Sequence, residues 1–168
     1  EPFDLVTATN VLAHVADPAA FLKSALDCLN EGGAVVVEFP YCRNLIDCGE
    51  WDTIYHEHLS YFFVGPFLEL VHQLGAFVAH VKLVASHGGS LRVAIRPGGG
   101  RHCQEIQELA AREIKDGFRQ MGTYRRLAQQ VDRACVELRR VVEQEAAAGR
   151  RVVGYGASAK GNTLLNRY

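Results

Sequence analysis

Phe3-Asp4-Leu5-Val6-Thr7-Ala8 and Ala34-Val35-Val36-Val37-Glu38-Phe39, two largely apolar runs on either side of one helical stripe, decide the fold of this chain. Short apolar runs carrying Val and Thr suit buried strands of a parallel sheet. Between them a loop from Thr9 to Ala16 leads to Asp17, which caps a helix with Pro18 at its first position. Phe21, Leu22, Ala25, Leu26 and Leu29 form the apolar face of that helix, and Gly32-Gly33 stops it. Strand, helix, strand implies a right-handed crossover between parallel neighbours.

Working outward, Pro40 ends the second strand and residues 40 to 64 form a long connection, of the kind that carries function in α/β folds. Pro66 to Leu74 reads as a helix with Gly75 beyond its end. Phe77 to Val84 and Leu91 to Ile95 alternate as strands around the turn Ser86-His87-Gly88-Gly89-Ser90, an antiparallel closure that makes the sheet mixed. Pro97 to Gly100 is a breaker run and marks a domain boundary. Beyond it, Met121, Tyr124, Ala128, Val131, Cys135, Leu138 and Val142 recur at three- and four-residue steps, a long amphipathic helix interrupted near its start by Gly117 and Gly122 and ended by Gly149. Arg151 to Tyr155 resembles a new strand. The chain therefore divides into an α/β unit (1–97), a helical linker (98–149) and the opening of a second α/β domain (150–168).

Composition bounds the partner. Eighteen basic residues stand against nineteen acidic ones, so charge makes no case for nucleic acid or anionic lipid, and a small molecule fits better. Cys28, Cys42, Cys48, Cys103 and Cys135 are odd in number and contain no C-x-x-C pair, which suits free thiols in a reducing cytoplasm. No apolar stretch approaches membrane-spanning length, and the start Glu1-Pro2-Phe3-Asp4 is neither basic nor an initiator methionine. The expectation is a chain that begins inside something larger. The helical seam suits a dimer or its own domain, so oligomeric state stays open.

Tyr55-His56-Glu57-His58 lies in the long connection and places two imidazoles, a carboxylate and a phenol together. With His14 and Glu57 as further ligands this is a zinc or iron(II) set. As a proton-transfer site it needs only one imidazole of near-neutral pKa, oriented by Glu57 or Tyr55, to take a proton from an activated carbon. A structural role for both histidines is the third reading. His14 follows the first strand at its carboxyl end, the edge where open α/β sheets bind ligands, so His14 and the Tyr55–His58 segment are expected to face one crevice. Farther on, Gly154, Tyr155, Gly156, Ser158, Lys160 and Asn162 form a glycine-bearing loop after a strand, suited to a phosphate though not spaced as a P-loop. Arg92 and the Gly88-Gly89-Ser90 turn read as structural.

Taken in order, Asn10 to His14 with Asp17-Pro18, Glu38-Phe39-Pro40, Tyr55-His56-Glu57-His58 with Tyr61-Phe62, His87-Gly88-Gly89-Ser90-Leu91-Arg92, and Gly154-Tyr155-Gly156-Ala157 through Lys160-Gly161-Asn162 resemble the nucleotide-sugar C-methyltransferases of deoxysugar biosynthesis. The resemblance implies an S-adenosylmethionine-dependent enzyme whose methyltransferase domain is Rossmann-like, with 1–97 as the second half of its sheet. It implies zinc only in an N-terminal domain that has no counterpart here, and a cofactor site that is incomplete because the glycine-rich loop after the first strand is also without a counterpart. It further implies a nucleoside-diphosphate 4-keto-6-deoxyhexose as substrate, His58 as base, Glu57 and Tyr55 as its orienting and substrate-contacting partners, His14 facing the sugar, and no catalytic metal; His56 is left out. Asn10 is assigned to the cofactor, and Gly154, Tyr155, Gly156, Ser158, Lys160 and Asn162 to the substrate. Another small acceptor, or a non-catalytic nucleotide-binding module, are the competing expectations.

Overall fold

The computed structural model describes residues 1–156 and 158–167; Ala157 and Tyr168, with the His87 side chain, lie outside the described residues. Strand β1 (Phe3–Thr9) pairs in parallel with β2 (Leu29–Pro40), and between them runs helix α1 (Pro18–Asp27). Asp17 caps α1 by accepting the Ala20 amide at 2.9 Å, with Pro18 at the first position. The helix stops at Asp27, before the glycines. Leu29 already belongs to β2, and Gly32, at φ 77°, lies where the register against β1 shifts. Gly33 is hemmed by the carbonyls of Phe3, Asp4 and Asn30, leaving no comfortable room for a side chain.

Next come α2 (Cys42–Cys48), α3 (Val64–Gln73), β3 (Ala76–Val84) and β4 (Ser90–Pro97). The sheet order is β1-β2-β4-β3, with β4 antiparallel to both neighbours. This is the mixed α/β sheet with an antiparallel terminal hairpin. Val35, Val37 and Phe39 of β2 meet Leu91, Val93 and Ile95 of β4 in one core, closed by Leu22 of α1 and by Val64, Phe67 and Val71 of α3. Phe39 stacks at a tilt on Phe62 and Phe67, with ring centres 5.1 and 4.8 Å apart, a geometry favoured over face-to-face contact.

Several expectations need correction. The strand β1 was expected to be buried, but it forms the sheet edge, with Phe3 and Leu5 more than half exposed. The connection 40–64 is not structureless. It holds α2, whose Cys42, Leu45 and Ile46 turn inward at helical spacing and whose end is set by Gly49 in the left-handed region. The linker consists of two helices, α4 (Gln104–Lys115) and α5 (Met121–Ala147), broken at Gly117 with φ 79°, while Gly122 sits inside α5. Helix α4 joins the core of the first unit through Ile106. Arg151–Tyr155 has no strand pairing among the described residues; the segment is exposed and leads to α6 (Ala159–Arg167).

Candidate functional site

The site forms where β1 and β2 end. Asn10 closes β1 with a positive φ of 56°, its amide donating to the Glu38 carbonyl at 2.8 Å; Asn is among the few side-chain-bearing residues that tolerate this conformation. The chain then makes a single 3-10 turn, Leu12–His14, whose Ala13 carbonyl accepts the amides of Leu59 and Ser60. The His14 Nδ1 lies 2.8 Å from the Glu57 carbonyl. The expected convergence therefore holds, with the β1 loop and the Tyr55–His58 segment stitched together largely by backbone groups.

A cavity of about 150 Å³ opens there, lined by Asn10, His14, Tyr41, Cys42, Glu50, Tyr55, His58, Tyr61 and Gly89 among others, and by Lys160 from α6. His58 is held on both ring nitrogens: Nδ1 is 2.8 Å from the Thr53 carbonyl and Nε2 is 3.2 Å from the Tyr55 hydroxyl. A carbonyl can only accept, so Nδ1 carries the proton and Nε2 presents its lone pair to the phenol. Desolvation lowers the pKa of His58 below its ordinary 6.5, and the nearby His14 and Lys160 add to that against the opposing Thr53 carbonyl and Glu57. Its ring centre lies 4.4 Å from that of Tyr55 and 4.8 Å from that of His14. By the same reasoning His14 donates from Nδ1 to the Glu57 carbonyl. Burial raises the pKa of the Tyr55 phenol, with Glu57 contributing.

The other expected residues divide. The main-chain carbonyl of Glu57 holds His14; its carboxylate, 59% exposed, lies 3.9 Å from the surface residue His56 and bears on His58 and Tyr55 electrostatically. No group of three or more His, Cys, Asp or Glu among the described residues is arranged to hold a metal. Ser158 caps α6, its hydroxyl accepting the Gly161 amide at 3.3 Å. Gly154, Tyr155 and Gly156 are exposed and line no described cavity, and Ala157 of that loop lies outside the described residues. Lys160 reaches the histidine cavity, while Asn162 lines an adjoining groove of about 630 Å³ with Trp51, Tyr55, His56 and Tyr124.

Tyr41 and Cys42 of the cavity wall were not expected. Tyr41 donates to Glu113 at 2.9 Å, and Glu113, 4% exposed, also accepts the amides of Val64 and Gly65. Burial and that carboxylate raise the pKa of Tyr41, and they push the Cys42 thiol up to about 12, which leaves it unreactive. The turn at Gly88 and Gly89 lies so close to Glu50 and Asn44 that a methyl group at either glycine would collide with them. Both glycines have positive φ, 77° and 116°, a conformation that glycine adopts without strain. Arg92 pairs with the buried carboxylate of Glu38 directly across the strands, at 2.8 Å.

Residues 85–168 match the family described as the C-methyltransferase C-terminal domain, and residues 1–81 match a methyltransferase domain. The chain is 34% identical over 163 residues to the C-methyltransferase NovU of Streptomyces niveus, covering 96% of this chain and 39% of that protein. It therefore spans well under half the length of that relative. Among solved structures, magnesium protoporphyrin IX methyltransferase from Synechocystis, with bound SAH, gives a TM-score of 0.44 at 13% identity over 56% of this chain and 45% of that one.

Proposed function

Because the chain belongs to the C-methyltransferase family, we propose that its cavity holds and deprotonates the carbon acceptor of a methyl transfer from S-adenosylmethionine, and that the acceptor is a nucleoside-diphosphate keto-deoxysugar. One observation carries the reading: His58 is a neutral imidazole with its Nδ1 proton anchored on Thr53 and its Nε2 lone pair inside a cavity. A base of lowered pKa is in its accepting form at neutral pH. The carbon beside a ketone gives its proton to Nε2, and the C–H electron pair becomes the enolate double bond while the negative charge moves to oxygen. Tyr55, donating to the same nitrogen in the free site, yields its place as the substrate's C–H approaches.

The methyl donor would supply an electrophilic carbon on a sulfonium sulfur. Asn10 fits the edge of its site: Oδ1 is buried and has no hydrogen-bond partner, an orphaned acceptor in the cavity wall, which a ligand donor or cationic centre would satisfy. The adjoining groove supports a ligand longer than a sugar. It shares Tyr55 with the cavity and offers the Trp51 and Tyr124 rings, with Asn162, along the path a nucleotide would take. The exposed main chain of Gly154 and Gly156 is open to a phosphate.

The test is solvent deuterium exchange at the acceptor carbon in the full-length protein, without methyl donor. His58→Ala should abolish exchange while leaving binding of the nucleotide sugar intact. Unimpaired exchange in that variant would remove His58 from the role.

A further inference from the structure

Lys160 was read from sequence as a phosphate ligand, yet it lines the cavity of His14, Tyr55 and His58. Its position is built. Ser158 caps the helix, α6 packs against the 3-10 turn Trp51–Thr53 that also supplies the carbonyl holding His58, and Arg167 is ion-paired to Asp132 of α5.

Resting on the enolisation reading above, we propose that Lys160 is a catalytic residue: its ammonium neutralises the enolate oxygen that appears when His58 takes the proton. The argument is one of inventory. Proton transfer from carbon to a neutral imidazole leaves a positive charge on His58, beside the carbon, and a negative charge on the ketone oxygen, which is two bonds from that carbon and needs its own partner. Tyr41 is committed to Glu113 and Thr53 to the Glu50 carbonyl, while Tyr55, which leaves His58 as the C–H approaches, offers the oxygen only a neutral hydroxyl. The carboxylate of Glu50 has the wrong sign. Lys160 is the one cationic side chain among the described residues of the lining, and it has no hydrogen-bond or ion-pair partner among the described residues. A cation and a neutral base on one cavity are what enolisation requires, whereas a diphosphate would have little use for the base.

The experiment takes full-length protein and its Lys160→Met and Lys160→Arg variants, with thermal midpoints checked for an unchanged fold. Two measurements are made: binding of dTDP and UDP, and deuterium exchange into dTDP- and UDP-linked 4-keto-6-deoxyglucose at saturation. Lys160→Met is expected to slow exchange by about 10²–10³-fold, as loss of one oxyanion-stabilising group does, with diphosphate binding unchanged and Lys160→Arg partly restoring the rate. Lost diphosphate binding with wild-type exchange at saturation would make Lys160 a phosphate ligand and overturn the proposal, as would a Lys160→Met variant that matches wild type in both measurements. Absence of exchange in the wild-type protein with either sugar would instead overturn the enolisation reading itself, and the proposal with it.

Discussion

At the residue scale the chemistry rests on which nitrogen of His58 is free. The Thr53 carbonyl fixes the proton on Nδ1, so the imidazole can serve as a base only through Nε2. Because desolvation lowers the pKa of His58, the neutral form persists below the usual histidine midpoint. The acidic limb of kcat/KM should therefore fall at a pH under 6.5, where protonation removes the base. Tyr55 donates to the lone pair, and that bond favours the neutral form. Tyr55→Phe should move the limb upward, towards the ordinary value, and a limb that stays in place would mean that the phenol does not touch the working base. Measuring the full pH profile of both enzymes decides it. His14 and His58 were legible as partners because the carboxyl ends of parallel strands share one edge. The part of Glu57 that was not legible is its main chain: sequence names side chains, but the carbonyl of Glu57 is what meets His14.

At the scale of elements, Glu113 ties α4 to the wall of the site. Its carboxylate satisfies the first amides of α3, which the segment before α3 leaves without a side-chain cap, and it also accepts the hydrogen bond of the Tyr41 hydroxyl. Glu113→Ala would strand the buried Tyr41 hydroxyl and Val64 amide at about 1–3 kcal/mol each, with the half-buried Gly65 amide adding less, so a loss of at least about 2 kcal/mol in urea unfolding is expected. Glu113→Gln, which keeps one acceptor, should lose less; equal losses would show that shape, not hydrogen bonding, is what matters there. This link explains why the expected boundary near residue 97 does not coincide with the edge of the core. The βαβ unit and the closing hairpin were readable because their apolar periods are long and bounded by Asp17-Pro18, Pro40 and the glycine turn. Helix α2 was not, being only seven residues long and mixed in polarity. Arg151–Tyr155 has the composition of a strand, but strands exist by pairing, and no strand among the described residues lies beside it.

Across the whole molecule, the acceptor and donor sides of the proposed site are unequally supplied. The acceptor side brings together a base, its anchoring carbonyl, a phenol and a cation from elements more than a hundred residues apart. The donor side offers Asn10, at the end of a strand that is paired on one side only and carries exposed Phe3 and Leu5. One orphaned acceptor gives little binding energy, because a hydrogen bond nets about 1 kcal/mol once water is displaced. The sequence contains no glycine-rich turn after β1 to bring backbone amides against the cofactor. The 168-residue polypeptide by itself should consequently bind S-adenosylmethionine more weakly than about 0.1 mM, under about 6 kcal/mol. Calorimetric titration checks this, with Asn10→Ala as the companion variant. Micromolar binding that Asn10→Ala removes would mean that the cavity holds the cofactor without a glycine-rich turn. Micromolar binding that ignores the substitution would place the donor elsewhere on the molecule.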